Sequence, residues 1–221
     1  MHTSELINNL SRDPARPSAF APAAVVIGAA IVALALAIVL SAVWLNPRDD
    51  LAIALVVTNH VFLLKVAFTL GVAASALPIV RDLSVPGRRL GYWSLLAAVP
   101  FVVIGILALK ESLQPHVVGP SHHGDAASWL ECLWQIPALS IPAFLILIIV
   151  VRRLAPTNLT LTGAYLGLAA GGIGAVGYSF HCGHDSLAFI AAFYTLAIFE
   201  MALLGALIGP RVLRWTVSRR R

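Results

Sequence analysis

The sequence has 221 residues, of which 59% are hydrophobic and 11% are charged. Soluble domains average about 45–50% apolar and about 25% charged residues, so no soluble fold of this length has enough interior to bury so much apolar surface. The composition excludes an ordinary soluble domain, and the excess of 15 basic over 10 acidic residues must be read by position before it indicates nucleic-acid binding.

The first 21 residues precede the apolar part of the chain and form a segment of their own. Thr3 or Ser4 can cap a short helix in which Leu6, Ile7 and Leu10 share one face. A helix this short is marginal on its own, so its apolar stripe must dock on something. The spacing leaves open whether it docks on the bilayer or the bundle, or on a partner protein.

Six apolar runs follow, each about as long as the roughly 20 residues that a membrane span needs. They cover residues 22–45, 51–80, 92–109, 133–151, 159–180 and 186–209. Lipid offers the backbone no hydrogen-bond partners, and alternating ten-residue strands are absent, so the runs predict helices. The predicted fold class is an all-α membrane protein with a six-transmembrane-helix bundle. It divides into a tail at 1–21, a membrane domain at 22–209 and a basic tail at 210–221.

The positions of the basic residues predict the orientation of this bundle. Twelve of the fifteen lie on one side of the runs, whereas Arg48 and Lys110 lie on the other and Lys65 lies inside a run. Cytoplasmic segments of membrane proteins carry the excess of Lys and Arg, so both termini are predicted to be cytoplasmic. The basic excess therefore has a topological explanation, and no direct nucleic-acid partner is predicted.

Two strongly ionisable side chains, Lys65 and Glu200, lie well inside the apolar runs. Lys65 follows Asp50 by 15 residues and Glu200 follows Asp185 by 15 residues, which predicts a similar depth for both. A charge without a partner is costly inside a bilayer. We therefore expect an intramembrane ion pair between Lys65 and Glu200. The alternative is that Lys65 extends to the interface and Glu200 is protonated.

The fifth run carries Gly163, Gly167 and Gly171 at four-residue spacing, and further glycines follow. Small residues at this interval let two helix backbones approach closely. The spacing predicts a fifth helix at the centre of the bundle, or alternatively a homodimer face.

Cysteines and histidines collect at the end of the bundle opposite most of the arginines. Cys132 opens the fourth run, and Cys182 lies between His181 and His184 in the turn after the fifth; the loop at 110–131 adds three histidines. Thiol and imidazole groups together suit soft or borderline ions such as zinc, cadmium or copper. A disulfide in an oxidising compartment, or cysteines that merely pack, are the alternatives.

Four segments, in this order, carry a family resemblance. They are Thr-Ser-Glu-Leu-Ile-Asn-Asn-Leu at 3–10, Glu-Cys-Leu-Trp-Gln-Ile-Pro at 131–137, His-Cys at 181–182 and Leu-Gly-Ala-Leu-Ile-Gly-Pro-Arg-Val-Leu-Arg-Trp at 204–215. Over nearly its whole length the chain resembles the NrsF-type family of six-helix membrane anti-sigma factors. Members restrain an extracytoplasmic-function sigma factor at the bacterial inner membrane, so the resemblance implies a regulator rather than an enzyme.

The resemblance also implies roles for individual residues. Cys132 and Cys182 would sense heavy-metal or oxidative stress on the outer side and release the sigma factor inside. A metal ion would be the signal, with no tightly bound cofactor. His181 and His184 are further candidates, although Gly183 and His184 stand where relatives are expected to carry Pro and an acid, which leaves the ligand set open.

The partner-binding residues implied by the resemblance lie in the N-terminal tail. They are Glu5, Leu6, Ile7 and Leu10, with help from the loop at 81–89. The predicted partners are an extracytoplasmic-function sigma factor and the lipid bilayer, with a homodimer left open.

Two other classes of protein compete with this interpretation. A small heavy-metal transporter or exporter would use the outer Cys and His residues as an entry site, with Lys65 and Glu200 midway. A membrane thiol oxidoreductase ranks third, because the two cysteines are far apart in sequence rather than a close redox pair.

Overall fold

The computed structural model describes residues 5, 21–48, 51, 60–85, 91–113, 126–154 and 156–214. Within these ranges every regular element is helical, and six helices are long and apolar enough to cross a membrane. The predicted all-α fold with six apolar helices is therefore confirmed. Large apolar side chains such as Ile31, Leu109 and Leu203 stay exposed on its outside, as suits a surface that faces lipid.

The six helices are numbered here in chain order. They are α1 Ala21–Trp44, α2 His60–Leu83, α3 Val99–Ser112, α4 Ala126–Val151, α5 Leu159–Ser179 and α6 Leu187–Val212. A 3₁₀ segment, Tyr92–Ala98, leads into α3, and α6 contains a π-helical turn at Ile190–Tyr194.

The two ends of the bundle differ in chemistry, and we name them accordingly. At the cysteine end, the Trp44 and Trp134 rings meet with centroids 5.6 Å apart, so the C-terminus of α1 lies beside the start of α4. At the arginine end, the Thr157 N–H donates to the Leu83 carbonyl at 3.4 Å, which joins the start of α5 to the end of α2.

Helix α5 lies at the centre, because glycines let it approach its neighbours backbone to backbone. A Cβ on Gly167 would lie 2.9 Å from the Cα of Ala202 in α6, and one on Gly172 would lie 2.9 Å from the Thr69 carbonyl oxygen in α2. Gly177 is equally tight against α1. These separations are too short for any larger residue. The predicted central position is confirmed, and this glycine face is not available to a second copy.

Much of the predicted partner-binding tail lies outside the described residues. Glu5 is described, in a helical conformation and exposed. The other tail residues are not: Thr3, Ser4, Leu6, Ile7 and Leu10. The loop histidines His116, His122 and His123 also lie outside the described ranges.

The close contact of α5 with α6 can be tested by adding one methyl group. Gly167→Ala is expected to lower the apparent Tm in detergent, because overpacking typically costs about 1–3 kcal/mol. Gly105→Ala in α3 is the control, since its Cβ would meet nothing within 4 Å, and we expect no change. Circular dichroism follows the melting curves. Equal curves for the two variants would contradict the close contact of α5 with α6 at Gly167.

Candidate functional site

The candidate site is built on the loop at 180–186, which joins α5 to α6 at the cysteine end. The chain leaves α5 with the Cys182 N–H donating to the Tyr178 carbonyl at 3.0 Å. Glu111, at the end of α3, accepts the Ala188 N–H at 3.0 Å. A carboxylate here satisfies a free N–H at the start of α6 and complements the helix dipole, so the loop is held at both ends.

The segment after α1 is joined to the same loop. The Arg48 N–H donates to the Phe180 carbonyl at 3.1 Å, and Nδ1 of His181 lies 2.8 Å from the Asn46 carbonyl oxygen. Asn46 has a φ of 61°, a left-handed conformation that Asn tolerates better than most residues. This turn brings the chain after α1 over the loop.

The fold brings Cys132 and Cys182 together although they are 50 positions apart. Both are buried free thiols, and they lie close enough for each to influence the ionisation of the other. The Cys132 sulfur also lies 3.3 Å from the Tyr178 hydroxyl oxygen, within hydrogen-bonding distance. Two adjacent thiols can bind a soft ion between their sulfurs or become oxidised to a disulfide. Their separation along the sequence therefore does not keep the two thiols apart in the fold.

Lys65 is fully buried, and its ammonium group is held by the loop. Its Nζ donates to Oδ1 of Asp185 at 2.9 Å and to the Cys182 carbonyl oxygen at 3.0 Å. Arg48 donates two further hydrogen bonds to Asp185, at 3.0 and 3.2 Å. The Tyr194 ring lies 5.8 Å from Nζ, within cation–π distance. These contacts offset the desolvation of a buried cation. We call the residues that meet here the thiol–lysine cluster: Arg48, Lys65, Cys132, Tyr178, Cys182, Asp185 and Tyr194.

The predicted ion pair between Lys65 and Glu200 is wrong. Lys65 pairs with Asp185, and Glu200 is exposed on α6. Counting residues along two helices gives a depth, whereas pairing also requires that the two side chains face each other. The loop places Asp185 within reach of the long lysine side chain, while α6 turns Glu200 away from it.

Two groups of the loop have shifted pKa values. Burial by itself would raise the pKa of Asp185, but the hydrogen bond from Arg48 and the charge of Lys65 hold this pKa below its usual range. The hydrogen bond from Cys132 lowers the pKa of Cys182, and the charge of Lys65 acts in the same direction against burial. Cys182 therefore favours the thiolate, the form of cysteine that binds metals and reacts with oxidants.

The two predicted histidines of the loop do not join the thiols through their rings. The His181 ring lies 5.7 Å from the Tyr178 ring, between centroids, and the His184 ring packs 5.0 Å from that of Phe189. The backbone N–H of His184, rather than its ring, interacts with Cys182. Across the described ranges, no three His, Cys, Asp or Glu side chains gather as a metal site.

Four members of the cluster are not among the predicted site residues: Arg48, Tyr178, Asp185 and Tyr194. Asp185 and Arg48 carry a signal, since they are opposite charges that the alternation of the apolar runs places at the same end of the bundle. Tyr194 carries none. It ends the π-helical turn of α6 and is fully buried, and such turns recur at functional sites.

Comparison with known proteins places this chain in a family. The profile described as negative regulator of sigma F, NrsF, matches residues 10–215. The anti-sigma-F factor NrsF of Caulobacter vibrioides is 31% identical over 219 residues, 97% of this chain and 100% of that protein. A protein of Azospira oryzae named probable anti-sigma-F factor NrsF is 32% identical over 171 residues, 77% of this chain and 79% of its own length. No solved structure matches.

The pairing of Lys65 can be tested with two double-mutant cycles. Asp185→Asn is expected to destabilise the protein by about 3–5 kcal/mol, because it leaves a buried cation without its counter-charge. Lys65→Met should cost less, since Arg48 still pairs with Asp185.

The effects of Asp185→Asn and Lys65→Met on the unfolding free energy should couple by about 1 kcal/mol or more. The effects of Lys65→Met and Glu200→Gln should add within about 0.5 kcal/mol. Unfolding free energies from SDS titration in mixed micelles give both numbers. Equal coupling in the two cycles would contradict the assignment.

Proposed function

This chain belongs to the NrsF family of negative regulators of sigma F, and from that membership we propose that it is a membrane anti-sigma factor. It binds an extracytoplasmic-function sigma factor at the bacterial inner membrane. It releases this sigma factor when Cys132 and Cys182 react with a soft metal ion or an oxidant. The placement of two buried thiols close together, beside a buried lysine that binds the Cys182 carbonyl, is the observation that carries this proposal.

The distribution of charge supports the proposed orientation. Among the described residues, five arginines lie at the arginine end, far from the thiols: Arg81, Arg152, Arg153, Arg211 and Arg214. An excess of arginine marks the cytoplasmic side of a membrane protein. Both tails and the sigma-factor site would then be cytoplasmic, with the thiol–lysine cluster at the outer face.

The chemistry of the thiol pair defines the proposed signals. Zinc, cadmium or copper(I) would bind between the two thiolates, because soft ions prefer sulfur ligands. An oxidant such as chromate would accept two electrons, the one remaining thiol proton would leave, and a bond would form between the two sulfurs. Both events draw α4 and the loop after α5 together. Both are signals rather than cofactors, and neither makes the protein an enzyme.

Lys65 offers a route from the thiols to the cytoplasmic end. The Cys182 carbonyl is one of its two hydrogen-bond acceptors, so a change at Cys182 alters how α2 is held. Helix α2 continues from Lys65 to Leu83, whose carbonyl accepts the Thr157 N–H at the start of α5. A shift between two arrangements of α2 and α5 would change the surface that the sigma factor meets.

The N-terminal tail supplies the proposed sigma-factor contacts. Glu5 is exposed, and Leu6, Ile7 and Leu10 would present the apolar stripe, assisted by the arginine-rich loop at 81–89. We propose that the cytoplasmic loops add further contacts to the sigma factor.

Transport is less well supported than sensing. A transporter or exporter would use Lys65 and Glu200 as facing charges midway along a path. Lys65 instead holds the loop through Asp185, and Glu200 faces away from it. These two charges therefore do not line a common path, which disfavours transport.

Replacing both thiols tests the sensing proposal. Cys132→Ser with Cys182→Ser is expected to abolish the rise in sigma-dependent transcription on addition of cadmium or chromate, because hydroxyl groups neither bind soft ions strongly nor form a disulfide. A reporter fused to a sigma-dependent promoter measures this. Ser140→Ala, a buried polar position elsewhere in α4, is the control and should respond normally. An undiminished response of the double variant would remove the thiols from the mechanism.

Deleting residues 1–12 tests the proposed binding segment. The shortened protein should still insert, since the six apolar helices remain, but it should lose at least tenfold in retention of the sigma factor on pull-down with tagged protein. A protein lacking residues 216–221 of the C-terminal tail is the matched control. Full retention after the N-terminal deletion would place the sigma-factor site elsewhere.

A further inference from the structure

Glu200 lies at the middle of α6, the longest of the six spans in the described part of the chain. It is 13 residues from Leu187 and 12 residues from Val212, the two ends of α6, or about 18–20 Å from each. Its side chain is exposed, and it has no hydrogen bond or ion pair among the residues that the structure describes. A carboxyl group therefore faces outward at the depth where the bilayer is most apolar.

The residues beside Glu200 form a stripe along the outer face of α6. Leu196, Leu203 and Leu207 are 54%, 62% and 56% exposed and lie on the same side of the helix. Together with Glu200 they follow spacings of four, three and four residues, which is the repeat of a helix that packs lengthwise against another helix. We call these four residues the Glu200 stripe.

A carboxyl group in this position requires a partner. Ionisable residues inside spans almost always face the bundle interior or a cavity, because hydrocarbon satisfies none of their hydrogen bonds. No basic residue of this chain is free to serve at this depth, since Lys65 is held by Asp185 and the other bases lie outside the apolar runs. Among the described residues nothing supplies a partner for Glu200, so we look for one outside the chain.

We propose that this partner is a second copy of the same chain, with α6 packed against α6 about a twofold axis. A twofold interface brings the same residue of each copy together at the axis. A protonated carboxyl group is both donor and acceptor, so two Glu200 side chains satisfy each other there. The leucines of the stripe interdigitate on either side. The inference goes beyond sigma-factor regulation and does not depend on it.

Photo-cross-linking of the full-length protein tests where the copies meet. Benzoylphenylalanine in place of Leu203 should yield a cross-linked dimer in membranes. The same group in place of Ile31, which is 63% exposed near the middle of α1, should not. Cross-links from position 203 to a different protein, or equal dimer yield from both positions, would overturn the proposal.

Two substitutions of Glu200 test what holds the copies together. Glu200→Leu should raise the dimer dissociation constant in liposomes about tenfold, measured by energy transfer between labelled copies, because it removes the hydrogen bonds across the interface. Glu200→Gln should stay within about threefold of the wild type, since an amide also donates and accepts.

Leucine suits a lipid-facing helix, so the Leu variant should keep its Tm, and a melting curve checks this. A wild-type protein that is monomeric in liposomes, or a Leu variant that dimerises as the wild type does, would overturn the proposal.

Discussion

The buried ammonium group of Lys65 is the constraint on which the cysteine end of the molecule depends. A cation inside a helix bundle must be surrounded by acceptors, and Lys65 takes its acceptors from a loop that is distant in sequence. Asp185 and the Cys182 carbonyl fill that role, and Arg48 is a second cation that pairs with the same carboxylate. Because Asp185 accepts from both Lys65 and Arg48, its carboxylate joins α2, the α5–α6 loop and the segment after α1.

Close packing around α5 fixes the positions of the side chains in the thiol–lysine cluster. Glycines bring α5 against α1, α2 and α6 with backbone contacts that leave no room for a side chain. The end of α5 is thereby fixed relative to α4, and the Tyr178 hydroxyl reaches the Cys132 thiol. A rigid scaffold that carries a few polar contacts suits a switch, since small changes at the thiols must be passed on by packed helices.

The sequence predicts the helices better than it predicts the partners of their charged residues. The apolar runs indicate all six helices. The two cysteines of the sequence are predicted as site residues because the order of the runs places both at one end of the bundle. The pairing of Lys65 with Glu200 fails because equal depth is not shared orientation. Tyr194 escapes prediction because its direction depends on a π-helical turn, for which the sequence carries no signal.

What the sequence determines by itself is the class of molecule: six apolar helices, an asymmetric distribution of arginine, a glycine-rich fifth helix and two cysteines at one end. These follow from composition and periodicity, which act locally along the chain. The tertiary structure alone decided that the two thiols lie close together, that Asp185 is the counter-charge of Lys65, and that Glu200 faces outward. Those outcomes depend on how helices rotate about their axes and how one short loop enters between them, which only packing against neighbours can set.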